Sequence, residues 1–197
     1  LGCIGGVACG SPSITGNHGV TVPSTDPNPL GAEHLTVVAW VNPTPGDGLT
    51  DKRALVHRPW LMNLSLDPSG QGVHASIRLE TGEGCDTETL TIDTAAVITP
   101  GTWSFVAMTY DGWTLRAYAD GLEVGTASHE GADAIPMSDC AYDLHLGFGG
   151  PEEDMGLLGS LRGVSYWSDA LSADDLSALA EGLVPTDRVD ALRGWWE

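Results

Sequence analysis

The feature that most limits the fold of this chain is the spacing of its short apolar runs. Stretches rich in β-branched and aromatic residues occupy 35–41, 53–57, 60–66, 73–79, 88–93, 103–110, 114–119, 122–127, 144–148 and 157–167. Glycine, proline and aspartate interrupt them, about every eight to twelve residues, a rhythm that suits strands and leaves little room for helices. Such a chain folds as a sandwich or a barrel. Asp111-Gly112 and Asp120-Gly121 supply the dipeptide that tolerates positive φ. The strands on either side are therefore expected to fold back as antiparallel hairpins, a meander from 103 to 127. One helix is expected near the end: Ser172 is an N-cap, Asp175 completes a short-armed capping box, and Leu171 staples onto Leu176. Leu176, Leu179 and Leu183 then repeat as one apolar face.

With 197 residues and 42% hydrophobic content the chain has material for one well-filled domain. It carries 8 Lys and Arg against 27 Asp and Glu, a formal net charge of −19. That charge repels phosphate backbones and anionic headgroups, so neither nucleic acid nor membrane insertion is expected. No apolar stretch approaches the roughly 20 residues needed to span a bilayer. The four cysteines, Cys3, Cys9, Cys85 and Cys140, form no C-x-x-C pair of the zinc type and read as disulfides. Of three connectivities, Cys3 with Cys9 and Cys85 with Cys140 is favoured, the first pair being local and the second within the body of the domain. Closing the longer loop removes roughly 4 kcal/mol of unfolded-state entropy. Disulfides imply an oxidising, extracellular or cell-surface setting.

The order of motifs resembles the laminin-G-like domain of the concanavalin A-like lectin and glucanase superfamily. The resemblance is carried by Val38-Ala39-Trp40-Val41, by Gly101-Thr102-Trp103 through Val106-Ala107-Met108-Thr109-Tyr110-Asp111-Gly112, and by Leu115-Arg116-Ala117-Tyr118-Ala119-Asp120-Gly121. Leu144-His145-Leu146-Gly147, Gly159 to Tyr166 and Ala170 to Leu176 continue it. It implies an all-β, two-sheet antiparallel jelly-roll sandwich with one short C-terminal helix. The corresponding organisation is a Gly-rich N-terminal arm at 1–16, the jelly-roll domain at 17–182, and a C-terminal segment at 183–197 ending in an edge strand. It also places Trp40, Trp103 and Trp167 at positions that face the core. Where relatives carry the acidic pair of an "i-D-e-v" strand this chain has Arg162-Gly163, and an arginine there repels a calcium ion.

Related glucanases cleave sugars with carboxylates spaced as E-x-D-x-x-E on one strand, and this spacing is absent. Glu83, Asp86 and Glu88 sit in a Gly/Cys/Thr loop that suits a solvated turn better than an acid and nucleophile about 5 Å apart. No cofactor and no catalysis are expected. Trp113, on the tip of the Asp111-Gly112 turn, either presents a ring to a ligand or folds back over a strand. Trp60, after His57-Arg58-Pro59, is the second binding candidate. Glu152, Glu153 and Asp154 form the one acidic loop run that suits calcium, although such runs are usually just solvated.

The resemblance implies an extracellular recognition or adhesion domain, non-enzymatic, whose partner is a glycan or a surface protein. The alternative is a structural subunit of a self-assembling filament, sheath or virion, joined to copies of itself through its termini: Ile4 and Val7 in the arm, Trp195 and Trp196 at the end. Those tryptophans expose too much apolar area for a solvated tail. Residues 188–197 are therefore expected as an edge strand beside 157–167, in their own subunit or in the next.

Overall fold

Alternation along the central runs decides which side of each strand is dry. Along Leu35–Pro43, Leu35, Val37, Ala39 and Val41 join one apolar cluster while Val38 and Trp40 join another on the opposite face. A strand that is apolar on both faces must lie between two layers. The computed structural model describes residues 13–14, 19–23, 33–46, 51–80, 87–129, 142–150 and 155–197. In chain order its strands are β1 (Ser13–Ile14), β2 (Val20–Val22), β3 (Leu35–Pro43), β4 (Arg53–Arg58), β5 (Met62–Leu66), β6 (Gly72–Glu80) and β7 (Thr87–Ala96). There follow β8 (Ser104–Tyr110), β9 (Thr114–Ala119), β10 (Leu122–Ser128), β11 (Leu144–Leu146), β12 (Gly159–Trp167), helix α1 (Ala173–Ala180), a 3-10 helix (Thr186–Ala191) and β13 (Leu192–Trp196).

The strands form two antiparallel sheets. A seven-stranded sheet runs β1-β12-β3-β8-β9-β10, with β13 also on β12; a six-stranded sheet runs β2-β11-β4-β5-β6-β7. Between them lies the main core, in which Val37, Val106, Met108 and Tyr110 of one sheet meet Leu64, Ala75 and Ile77 of the other. This is the expected two-sheet sandwich. The hairpin turns follow their dipeptides: Asp120 and Gly121 take φ of 48° and 81°, and Gly112 takes 87°. The Asp111 carboxylate accepts from the Trp113 and Thr114 amides at 3.0 and 2.7 Å, closing the β8–β9 turn.

The outer face of the seven-stranded sheet is covered by α1. Ser172 and Asp175 form the capping box, and Leu171, Leu176 and Leu179 lie on Val38, Phe105 and Trp167. Leu183 departs from the expected apolar face: it is 59% exposed. The helix has already closed there, because Gly182 at φ 81° lets the Gly182 and Leu183 amides return to the Leu179 and Ala178 carbonyls. The 3-10 helix that follows was not anticipated from the text. Trp40 and Trp103 also correct the expectation that they face the core. Both are half-buried on this outer side, with the Arg162 guanidinium 5.6 Å from the Trp40 ring and 4.1 Å from the Trp103 ring. Trp40 alternates with the inward Ala39 and Val41, so strand geometry alone turns it out. Trp167 is fully buried, in this outer cluster rather than between the sheets.

β13 pairs with β12 in the same chain, Ser165 opposite Trp195 and Val164 opposite Trp196. Alternation sends the two rings to different layers, Trp195 to the cluster under α1 and Trp196 to the main core.

Candidate functional site

The two outer faces differ. No helix of the described residues lies on the six-stranded sheet, and a polar row crosses all of its strands in register: Thr21, His145, His57, Asn63, Ser76 and Thr91 are successive cross-strand partners. Alternation explains the row, since on β5 and β6 the residues between these positions point into the core. At the β2 end the loop after β11 closes over it. The His57 Nδ1–H donates to the Gly149 carbonyl at 2.6 Å, His145 pairs with Thr21 at 3.2 Å, and the His145 ring meets Phe148 edge-on. Over β4 to β7 the face stays open, as a groove of about 540 Å³.

Trp60 stands at its mouth. The turn Pro59–Leu61 joins β4 to β5, and Trp60 there has φ of 64°. A bulky residue in the left-handed region costs roughly 1–2 kcal/mol, and such strain gathers where function requires it. The indole is 54% exposed, and the Arg78 guanidinium lies 4.5 Å from its centroid. The same turn corrects the expected start of β5, which begins at Met62 rather than at residue 60.

The floor is polar. Asn63, Ser76, Thr89 and Thr91 line the groove. The Oδ1 of Asn63 and the Oγ of Ser65, one strand position pair away on β5, are buried with no hydrogen-bond partner among the described residues. Buried polar atoms are seldom left so. Beneath one end, His74 Nδ1 lies 2.7 Å from both Asp93 Oδ1 and Lys52 Nζ. One ring nitrogen makes one in-plane bond; the carboxylate can only accept, so the Nδ1 proton goes to Asp93 and Lys52 acts as a charge, 3.5 Å from that carboxylate. Burial pushes the His74 imidazole below its ordinary pKa against the pull of Asp93, with Lys52 adding to the depression. Burial alone would raise the Asp93 carboxyl, but His74 and Lys52 hold it below the ordinary value. Arg58, almost fully buried, donates from Nε to the Tyr142 carbonyl at 3.0 Å.

Of the residues singled out from sequence, Trp60 is the one in this groove. Trp113 is half-buried, its ring edge-on to His129 at 5.9 Å, and it does not line the groove. Trp195 lines a separate cleft of about 500 Å³ beside α1, with Trp40, Arg162, Glu181 and Glu197. Ile4 and Val7, the four cysteines Cys3, Cys9, Cys85 and Cys140, and the acidic run Glu152-Glu153-Asp154 lie outside the described residues. Asn63, Ser76, Arg78, Thr89 and Thr91 were missed as site residues. The alternation of polar with apolar residues along 62–66, 72–80 and 87–96 was the signal that could have found them.

A laminin G model of the concanavalin A-like lectin/glucanases superfamily matches residues 15–177. No curated protein matches the chain. Among solved structures, the chain is similar to a candidate carbohydrate-binding protein of Bacteroides ovatus: 15% identity, TM-score 0.60, over 94% of this chain and 48% of that one. The chain thus spans about half the length of that relative. Domain 4 of the extracellular GH43 arabinanase AbnA of Geobacillus stearothermophilus, solved with arabinotriose, gives 17% identity and TM-score 0.58 over 85% and 75%. The CBM40 of the Ruminococcus gnavus IT-sialidase, solved with α2,3-sialyllactose, gives 18% and 0.56 over 87% and 100%.

Proposed function

Since the chain belongs to the concanavalin A-like lectin/glucanase superfamily, we propose that it is a non-enzymatic carbohydrate-binding domain working outside the cell or on its surface. The groove on the six-stranded sheet is its sugar site. The observation that carries this reading is an exposed indole, held on a strained turn, beside a floor of amide and hydroxyl groups. A sugar ring offers an apolar C–H face to an aromatic and hydroxyls to such a floor, and a groove of this size suits a ligand of a few rings. Glycosidases need two carboxyl groups about 5–9.5 Å apart across the scissile bond, and no carboxylate lines the groove among the described residues. The relatives solved with oligosaccharides support the ligand class. A glycan array probed with the wild-type chain and with Trp60→Ala tests it. Discrete hits that fall at least tenfold with the variant are expected. Hits that persist unchanged move the site elsewhere, and a blank array with the folded protein defeats the reading.

A further inference from the structure

Resting on that reading of the groove, we propose that the sugar it takes is acidic, with a carboxylate or sulfate group held by Arg78. The charge distribution carries the inference. In a chain with 27 acidic and 8 basic residues, the groove is lined by Lys52, Arg58 and Arg78, together with His57 and His74, and by no described Asp or Glu. Asp93 shares this sheet face, opposite His74, but its carboxylate is already engaged by His74 and Lys52.

What each cation already touches decides which of them are available. Arg58 is buried and bonded to the Tyr142 carbonyl, so it contributes its field only. Lys52 is 37% exposed and shares Asp93 with His74. Arg78 is half-exposed, and among the described residues no carboxylate lies within ion-pair distance of it; it rests on the Trp60 indole instead. Arg116 pairs with Asp111 at 2.6 Å and Arg188 with Asp169 at 2.8 Å, while Arg53 and Arg193 donate to backbone carbonyls. Arg162 also lies over aromatic rings, but its cleft includes Glu181 and Glu197, which would repel an anion.

A guanidinium presents a planar fork that matches a carboxylate or sulfate, and stacking on Trp60 holds that fork in one orientation. The overall negative charge does not cancel this. At about 0.1 M salt the screening length is about 10 Å, so distant carboxylates on the rest of the surface are screened while Arg78 acts at contact. A sugar stacked beside Trp60 would place its acidic group at Arg78 and its hydroxyls on Asn63, Ser76, Thr89 and Thr91, with Lys52 adding positive charge further along the groove beside His74.

The test is an array of matched neutral, carboxylated and sulfated oligosaccharides, followed by calorimetry with lactose, 3′-sialyllactose and sodium sulfate at about physiological salt. The acidic members should bind at least tenfold more tightly than their neutral counterparts, and the two acidic series show which group is preferred. Arg78→Gln should erase that preference, Arg78→Lys should restore part of it, and both should melt as the wild type does. Neutral sugars bound as well as acidic ones, through Trp60, would overturn the acidic preference and leave the sugar site standing. Sulfate alone bound as tightly as the acidic sugars would reduce the groove to an anion site and overturn the proposal. No binding by any member would defeat both readings.

Discussion

Trp60 concentrates two opposed demands in one residue. Its backbone is in a conformation that glycine adopts freely and tryptophan does not, while its ring, 54% exposed, adds little to the core. Replacing it with glycine removes strain of roughly 1–2 kcal/mol and loses the Arg78 stacking, which at an exposed site is worth about 0.5–1 kcal/mol. Trp60→Gly is therefore expected to melt at or slightly above the wild-type temperature while sugar binding is lost. Calorimetric melting together with a binding titration checks this; a variant that melts clearly lower gives the indole a structural role instead. Nothing in the local text marks residue 60 as left-handed. It was legible only as an aromatic after His57-Arg58-Pro59, a second candidate behind Trp113, whose ring meets His129 edge-on.

Between elements, the β6–β7 pairing places His74 opposite Asp93 in register, with Lys52 reaching in from the segment before β4. This cross-strand pair makes the sheet sensitive to pH in a definite direction. The His74 pKa is depressed by burial, so below its ordinary value the unfolded chain takes up a proton that the folded chain refuses. The stability it contributes is complete above about pH 6.5 and is lost as the pH falls through the folded value. Asp93 is also depressed and gives way only at lower pH, below about 4. Melting temperature should accordingly fall from about pH 7 to 5, and His74→Gln should flatten that part of the curve relative to wild type. Parallel slopes for the two proteins would remove His74 as the cause. The partnership itself could not be read from the sequence, because register across strands depends on hairpin lengths and a bulge between Gly72 and His74.

At the scale of the molecule, one sheet is covered by α1 and by the segment that ends in β13, and among the described residues no helix lies on the other. The terminal strand closes its own sheet against β12, and its two tryptophans lie in both apolar clusters. Deleting residues 188–197 should therefore cost on the order of 2–3 kcal/mol of apolar burial at about 25 cal/mol per Å², a fall of roughly 5–10 °C for a domain of this size. Scanning calorimetry measures the fall, and light scattering should show the same particle size before and after. An unchanged melting temperature with a changed particle size would mean that the strand joins chains rather than completing one.

Local chemistry was enough to determine the strands from β3 onward, the Asp-Gly turns, the Ser172 capping box and the family motifs, because each depends on residues close in the chain; β1 and β2 were not anticipated. It also marked the C-terminal tryptophans as too apolar for solvent. The layering, however, came from tertiary structure. Trp40 and Trp103 read as core residues and lie instead with Arg162 on the outer face, and Leu183 falls beyond a helix that Gly182 had already ended. The groove is the clearest case: Asn63, Ser76 and Thr91 look like ordinary polar positions in three separate strands, and only the register of the six-stranded sheet sets them side by side. A site assembled across strands has no contiguous text, since neighbouring strands bring together residues far apart in the chain by backbone pairing that is blind to side-chain identity.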